Sequence, residues 1–343
     1  MSEILFVNAS QIITCAGPPR ARRGPEMLDA GVRSGFSVAV REGVIADVGP
    51  SDAIERSYPR AERVDCARGV LGPGFVDSHT HAVFGRARYA EQELRAAGLD
   101  YMEIARQGGG IHASVRDLRA RGEEELTALA RTRLRTLARS GVTTVEIKSG
   151  YGLTVADELK TLRVIRRLAG ELPIRIVPTF LGAHEVPLEH RVSPAARRSY
   201  IDLLLHELIP LVGREKLARF ADVFCETHVY TVAESREILE AARAAGLGLK
   251  LHADEFSPSG GAELAAEMAA TSADHLGAIS EDGIRALART STVATLLPAT
   301  LTFLGKTSQA PARRLIAAGV PVAIATDFTG VAQFRQRTVS SGQ

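Results

Sequence analysis

Tryptophan is absent, and aromatic residues make up 5% of the 343. No Lys- and Arg-rich run is interleaved with those few, and 42 basic side chains against 40 acidic ones leave a formal charge of +2. The electrostatic footprint of a nucleic-acid binder is therefore missing. Cysteine is also scarce. Cys15, Cys66 and Cys225 are odd in number and widely spaced, which fits neither a disulfide framework nor a CxxC zinc or redox site; they read as reduced thiols. No apolar stretch approaches the ~18 residues of a membrane span, and Glu3 stands where a signal peptide wants a basic segment. The expectation is a cytoplasmic protein with a small-molecule partner, no nucleic acid and no membrane.

Apolar residues are not lacking. They form 45% of the chain, and a chain of about 300 residues buries roughly three-quarters of its unfolded surface. No disulfide or structural metal is needed to hold such a core. From Glu3 to about Val70 the sequence is short β-type runs, Ile4 to Val7, Phe36 to Val40 and Val44 to Val48, with a turn at Glu42-Gly43 and no helical period. From Leu71 onward, apolar β runs alternate with amphipathic helices. Val155, Leu159, Leu162, Ile165 and Leu168 share one helical face, with Gly170 placed to cap it; Leu126, Leu129, Leu134 and Leu137 do the same before Gly141.

The β runs end at His79-Thr-His81, Lys148, His184, Glu226, His252, His275, Pro298 and Asp327, eight in all, at intervals of 23 to 67 residues. Each interval holds a helix and a strand. The expected fold is thus α/β, a (β/α)8 barrel with its functional residues at the C-terminal strand ends. An open doubly wound sheet would want a Gly-rich turn directly after its first strand, where this chain has His-Thr-His. Gln107-Gly-Gly-Gly110 follows a helical stretch and lacks the Walker lysine, so it reads as a mobile loop rather than a phosphate cradle.

On a strand, residues two apart point to the same side, so His79 and His81 converge on one point in the lumen. His252 and Asp327, at two other strand ends, supply further donors. Three imidazoles and a carboxylate suit zinc or iron better than magnesium or calcium. One divalent ion with an open position brings the pKa of its water towards ~7, which points to hydrolysis of a C–N bond. Asp327 is suited to take the water's proton, and Glu255 and His275 stand at neighbouring strand ends. Strict alternation puts Asp254 rather than Glu255 on the side of His252, unless the chain has left the strand by Ala253.

The motifs Gly-Phe-Val-Asp-Ser-His79-Thr-His81, Gln107-Gly-Gly-Gly-Ile111, Glu146-Ile-Lys-Ser-Gly-Tyr-Gly152, Thr179-Phe-Leu-Gly-Ala-His184, His252-Ala-Asp-Glu255, Ser272-Ala-Asp-His275 and Ala325-Thr-Asp327 together resemble the imidazolonepropionase family of the amidohydrolase superfamily. The resemblance implies a metal-dependent hydrolase barrel over residues 71–328 and a small β-sandwich domain begun by residues 1–70. It implies an enzyme of histidine degradation that opens the ring of 4-imidazolone-5-propanoate with water to give N-formimidoyl-L-glutamate. His79, His81, His252 and Asp327 become the metal ligands by this likeness. Glu255 touches the ring, in preference to Asp254, and His275 polarises the carbonyl. Arg88, Tyr151 and His184 match positions that hold the substrate. A homodimer is the implied assembly. Lys148 and Cys225 read as structural, and His228 matches no motif.

After the eighth strand the family continues Asp-Phe-Asn-Pro-Gly, whereas this chain reads Asp327-Phe-Thr-Gly-Val331 and reaches Gln343. Residues 329–343 are therefore expected to be a divergent tail replacing the family's C-terminal region, as in a truncated or frame-shifted product. The β-sandwich would then be incomplete. Phe328, Val331 and Phe334 step by three, a helical spacing. Two rival readings follow: a ring deaminase sharing the metal set, against which Arg88 and Tyr151 argue, and a truncated, catalytically inactive relative that only binds metal or ligand.

Overall fold

The computed structural model describes residues 2–99 and 101–330, and the chain divides into two compact units, Met1–Gly74 and Phe75–Gln343. The first is β-rich. Its four-stranded sheet runs in the order Val44–Pro50, Phe36–Arg41, Glu3–Val7, Glu62–Asp65, and a three-stranded sheet joins Val32–Arg33, Gln11–Ile13 and Val70–Leu71. Leu5, Ala39 and Ile54 form its small core. One expectation fails here, because Ser51–Ser57 is a helix. It buries only Ile54, so seven residues carry no apolar period for the sequence to display.

The second unit is an eight-stranded parallel barrel. Its strands are Phe75–Asp77, Val142–Lys148, Arg175–Ala183, Phe220–Cys225, Gly248–Ala253, Ser272–His275, Val293–Leu296 and Val322–Ile324, each hydrogen-bonded to the next in sequence. The eighth meets the first at a Thr80–Phe328 bridge, where His81 N donates to Phe328 O at 2.9 Å and Asp327 N donates to His79 O at 3.0 Å. Alternation sorts each strand's residues. In the second strand Val145 and Ile147 join the apolar layer under the helices, while Glu146 and Lys148 form ion pairs with lumen residues of other strands.

The helices that cover this barrel follow the periodicity of the sequence. Val155–Glu171 starts at Thr154, whose Oγ1 accepts from Asp157 N at 3.1 Å, and buries Leu162, Ile165 and Leu168. Each such side chain contributes about 1.5–3 kcal/mol by leaving water. Gly170 does not cap this helix, which runs on to Glu171 before Leu172 turns extended. The sequence Gln107 to Gly110 is not one loop either: Gly110 begins the helix Gly110–Arg119 and its amide donates to the Glu91 carboxylate at 2.8 Å. Val331 and Phe334 lie outside the described residues, as does the rest of the expected tail beyond Gly330. Among the described residues, no helix is long and apolar enough to cross a membrane.

Candidate metal centre

The C-terminal strand ends bring four side chains together. Donor atoms of His79, His81 and His252 all lie within 4.8 Å of one another, and all three residues are buried. His79 Nε2 is 3.3 Å from His81 Nε2, and Asp327 Oδ1 is 3.6 Å from the first and 3.5 Å from the second. Burial depresses the pKa of all three imidazoles, which leaves them neutral with lone pairs available. The Asp327 carboxyl is pushed up to about 7, mainly by burial, against the opposing hydrogen bond that Thr300 Oγ1 donates to Oδ2 at 2.6 Å.

This donor set fits a divalent ion. His252 Nε2 is buried without a hydrogen-bond partner, a costly state for a polar atom. Two of the crowded Nε2 atoms face the same carboxylate oxygen, so one cation at their convergence satisfies several of them. Lys148 is no part of it. Its ammonium is fully buried against Asp222 at 2.7 Å and Glu146 at 3.0 Å, below the imidazoles, and these anions hold it protonated against the effect of burial.

The remaining residues line the cleft onto which His81, His252 and Asp327 open, and its wall includes Arg88, Tyr151, His184, Glu255, His275 and Thr329. Its side chains are aimed by backbone detail. The fifth strand ends at Ala253 and Asp254 adopts φ +50°, so Asp254 turns away to accept from Ser259 N and Gly261 N at 3.0 Å and from Ala262 N at 3.1 Å. Glu255 is thereby left facing the cleft, where burial raises its pKa well above the usual range. His275 Nδ1 stands 3.6 Å from Glu255 Oε2. His184 stacks on His81 with ring centroids 4.8 Å apart and planes at 14°.

Two buried carboxylates hold the loops in place: Glu158, which sequence reasoning passed over, and Glu226, which it read only as a strand end. Glu158 accepts from Gly152 N at 2.8 Å, Leu153 N at 2.9 Å and Gly150 N at 3.1 Å, which fixes the loop carrying Tyr151. Gly150 has φ +103°, and a Cβ there would lie 2.7 Å from Leu181 O; one on Gly152 would lie 2.5 Å from Glu158 N. The Gly-Tyr-Gly spelling is thus a steric requirement. Glu226 accepts from Phe256 N at 2.9 Å and so anchors the loop after Glu255. Arg88 is 10% exposed at its side chain, and its Nε and Nη1 have no hydrogen-bond partner. His228 is exposed and lines a different pocket beside His112 and Arg191. Cys225 is buried, which pushes its thiol up to about 11.

Comparison with known proteins agrees with this geometry. The amidohydrolase family profile matches residues 102–338. The chain is 49% identical over 330 residues to the imidazolonepropionase of Symbiobacterium thermophilum, covering 95% of this chain and 76% of that protein. It is 46% identical over 327 residues to the one from Myxococcus xanthus, with the same two coverages. The chain belongs to the imidazolonepropionase family. Like that family it is a hydrolase of a cyclic C–N bond, with a small-molecule substrate and a divalent metal site.

Solved structures agree on the barrel of this imidazolonepropionase family member. A zinc-bound adenosine deaminase from Xanthomonas campestris superposes with TM-score 0.60 at 18% identity, covering 96% of this chain and 70% of that one. A zinc-complexed atrazine chlorohydrolase from Arthrobacter aurescens gives 0.61 at 15% identity, covering 96% and 73%. At such identities the likeness is one of fold.

Proposed function

We propose that this enzyme hydrolyses the ring amide C–N bond of 4-imidazolone-5-propanoate to N-formimidoyl-L-glutamate, with His79, His81, His252 and Asp327 as the ligands of one divalent ion. The observation that carries the proposal is the presence, in the cleft beside this ligand cluster, of the Arg88 guanidinium, whose buried Nε and Nη1 make no hydrogen bond and whose ion pair with Glu91 is a long one at 3.7 Å. A carboxylate-bearing substrate answers that guanidinium, and a bare ring base does not. When bound, the ion supplies a low-pKa water and polarises the substrate carbonyl.

The residues divide the remaining work. Arg88 pairs with the propionate, Tyr151 donates a hydrogen bond to the substrate, and His184, whose Nδ1 donates to Gly150 O at 3.1 Å, offers Nε2 as an acceptor. Asp327 takes a proton from the attacking water as oxygen adds to the carbonyl carbon, then delivers it to the ring nitrogen as the C–N bond breaks. The ring nitrogen departs as N–H on the formimidoyl group, while the carbonyl carbon stays on the glutamate skeleton and becomes a carboxylate as the second water proton is released to solvent. Glu255, kept protonated by burial, holds a ring nitrogen, and His275 supports the carbonyl oxygen.

Imidazole and carboxylate ligands with a place left for water suit zinc, and zinc is our choice over iron. The cytoplasm is the proposed compartment, on the three unpaired cysteines. The test is to load the purified protein with zinc, supply imidazolonepropanoate and assay both formimidoyl-glutamate and ammonia. Ammonia in place of formimidoyl-glutamate would transfer the site to the ring deaminases.

A further inference from the structure

We infer that Asp274 is a positioning residue of the metal centre, which fixes the tautomer of His79 and so aims its lone pair at the ion. The inference rests on the ligand assignment above. His79 Nδ1 lies 2.7 Å from Asp274 Oδ2 in hydrogen-bond geometry, with both side chains fully buried. An ionised carboxylate only accepts, so the ring proton sits on Nδ1. Nε2, the nitrogen that faces His81 Nε2 at 3.3 Å and Asp327 Oδ1 at 3.6 Å, is then the unprotonated one.

The carboxylate has its own support. A buried anion needs compensating charge, and Lys250 Nζ at 3.4 Å and Lys148 Nζ at 3.6 Å provide it. Both ammonium groups are held from below. Glu146 Oε2 lies 2.8 Å from Lys250, which also donates to Ser78 O at 2.8 Å, and Asp222 Oδ2 lies 2.7 Å from Lys148. A rigid succession of lysine, aspartate and imidazole therefore runs from the barrel interior up to the metal site.

The three imidazoles are not equivalent in this respect. His252 Nδ1 comes within 3.0 Å of Asp222 Oδ2 but out of line for a hydrogen bond, and His81 Nδ1 has no partner. Asp274 thus pins one ligand of the three. Outer partners of this kind orient the ligand and raise its basicity, and their loss weakens metal binding about 10–100-fold.

The test compares Asp274→Asn with Glu146→Gln, which removes a carboxylate from the same lysine pair without touching His79. Zinc affinity is measured by chelator competition, and the metal-free proteins are melted as a check on folding. Asp274→Asn should bind zinc about 10–100-fold more weakly and shift the visible spectrum of the cobalt-substituted protein, while Glu146→Gln keeps the wild-type spectrum and most of its affinity. Equal losses in both variants, or none in Asp274→Asn, overturn the inference. Should Asp274→Asn fail to fold, nitrogen-15 histidine spectra of the wild-type protein decide the matter, since an Nε2-protonated His79 refutes the assignment and an Nδ1-protonated one supports it. Wild-type protein that binds no zinc refutes the ligand assignment itself, an outcome distinct from either.

Discussion

The backbone amide of Asp327 donates to the carbonyl of His79 at 3.0 Å. That bond joins the last strand end to the first, and it also sets two of the proposed ligands side by side. Barrel closure and assembly of the metal site are thus one event, made by main-chain groups. The side chain of Asp327 is therefore free to be changed without opening the seam. Asp327→Asn should melt within a few degrees of wild type yet turn over about 10²–10⁴-fold more slowly, the range for loss of a general base. A large fall in melting temperature would mean that the carboxylate, and not the backbone, holds the strands together.

Removal of a whole imidazole is a more severe change than removal of an outer partner. His252→Ala should lower metal affinity by more than the about 100-fold that outer partners cost, because it takes one of the four proposed ligands off the ion itself. Elemental analysis after gel filtration is the measurement, and a variant that retains a full complement of metal would remove His252 from the ligand set.

Arg88 lines the cleft with a buried Nε and Nη1 that make no hydrogen bond, the nearest carboxylate being Glu91, whose Oε1 is 3.7 Å from Nη1. A hydrogen bond to a charged group contributes about 1.5–3 kcal/mol. Arg88→Ala should therefore raise KM for imidazolonepropanoate about 10–100-fold. The same substitution should leave a ring analogue without the propionate nearly unaffected. An equal penalty on both compounds would show that Arg88 shapes the cleft and does not read the carboxylate.

Glu158 accepts three backbone amides from the loop that carries Tyr151. Glu158→Gln keeps the size but offers one acceptor oxygen and turns an NH₂ group toward those amides. Leaving a buried donor unsatisfied costs about 1–3 kcal/mol, so urea denaturation should show a loss in that range, accompanied by a higher KM. Unchanged stability would show that the loop holds its shape without the carboxylate.

The barrel was legible because its period is regular: polar residues close seven of the eight apolar runs and Pro298 the other, and Val155–Glu171 shows its buried stripe plainly. The clustering of His79, His81, His252 and Asp327 was legible for the same reason, since strand ends are where such residues converge. Other parts depend on information the text does not carry. The choice of Glu255 over Asp254 turns on one dihedral, φ +50° at Asp254, and only the family resemblance anticipated it. Asp274 meets His79 across 195 residues, a pairing that no local pattern reports. Glu158 lies beside an apolar stripe, where a charged side chain reads as the solvated face of its helix although it is fully buried.

His112 offers a test of pH dependence away from the proposed ligands. Burial, with Arg191 and Arg116 nearby, holds its pKa down at about 4 against an ordinary 6.5; Glu189 opposes this, and Glu185 Oε2 lies 3.9 Å from Nε2. The folded protein thus keeps this imidazole neutral where the unfolded chain protonates it. Between pH 6.5 and 4 the unfolded state binds more protons, and linkage makes stability fall as pH is lowered through that window. Above 6.5 both states are neutral and the contribution is complete; below 4 both are charged and the loss is constant. His112→Gln cannot take up the proton, so its unfolding free energy, measured in urea at pH 7, 6, 5 and 4, should decline less steeply than that of wild type. Parallel curves for the two proteins would show that His112 titrates in the fold as it does in water.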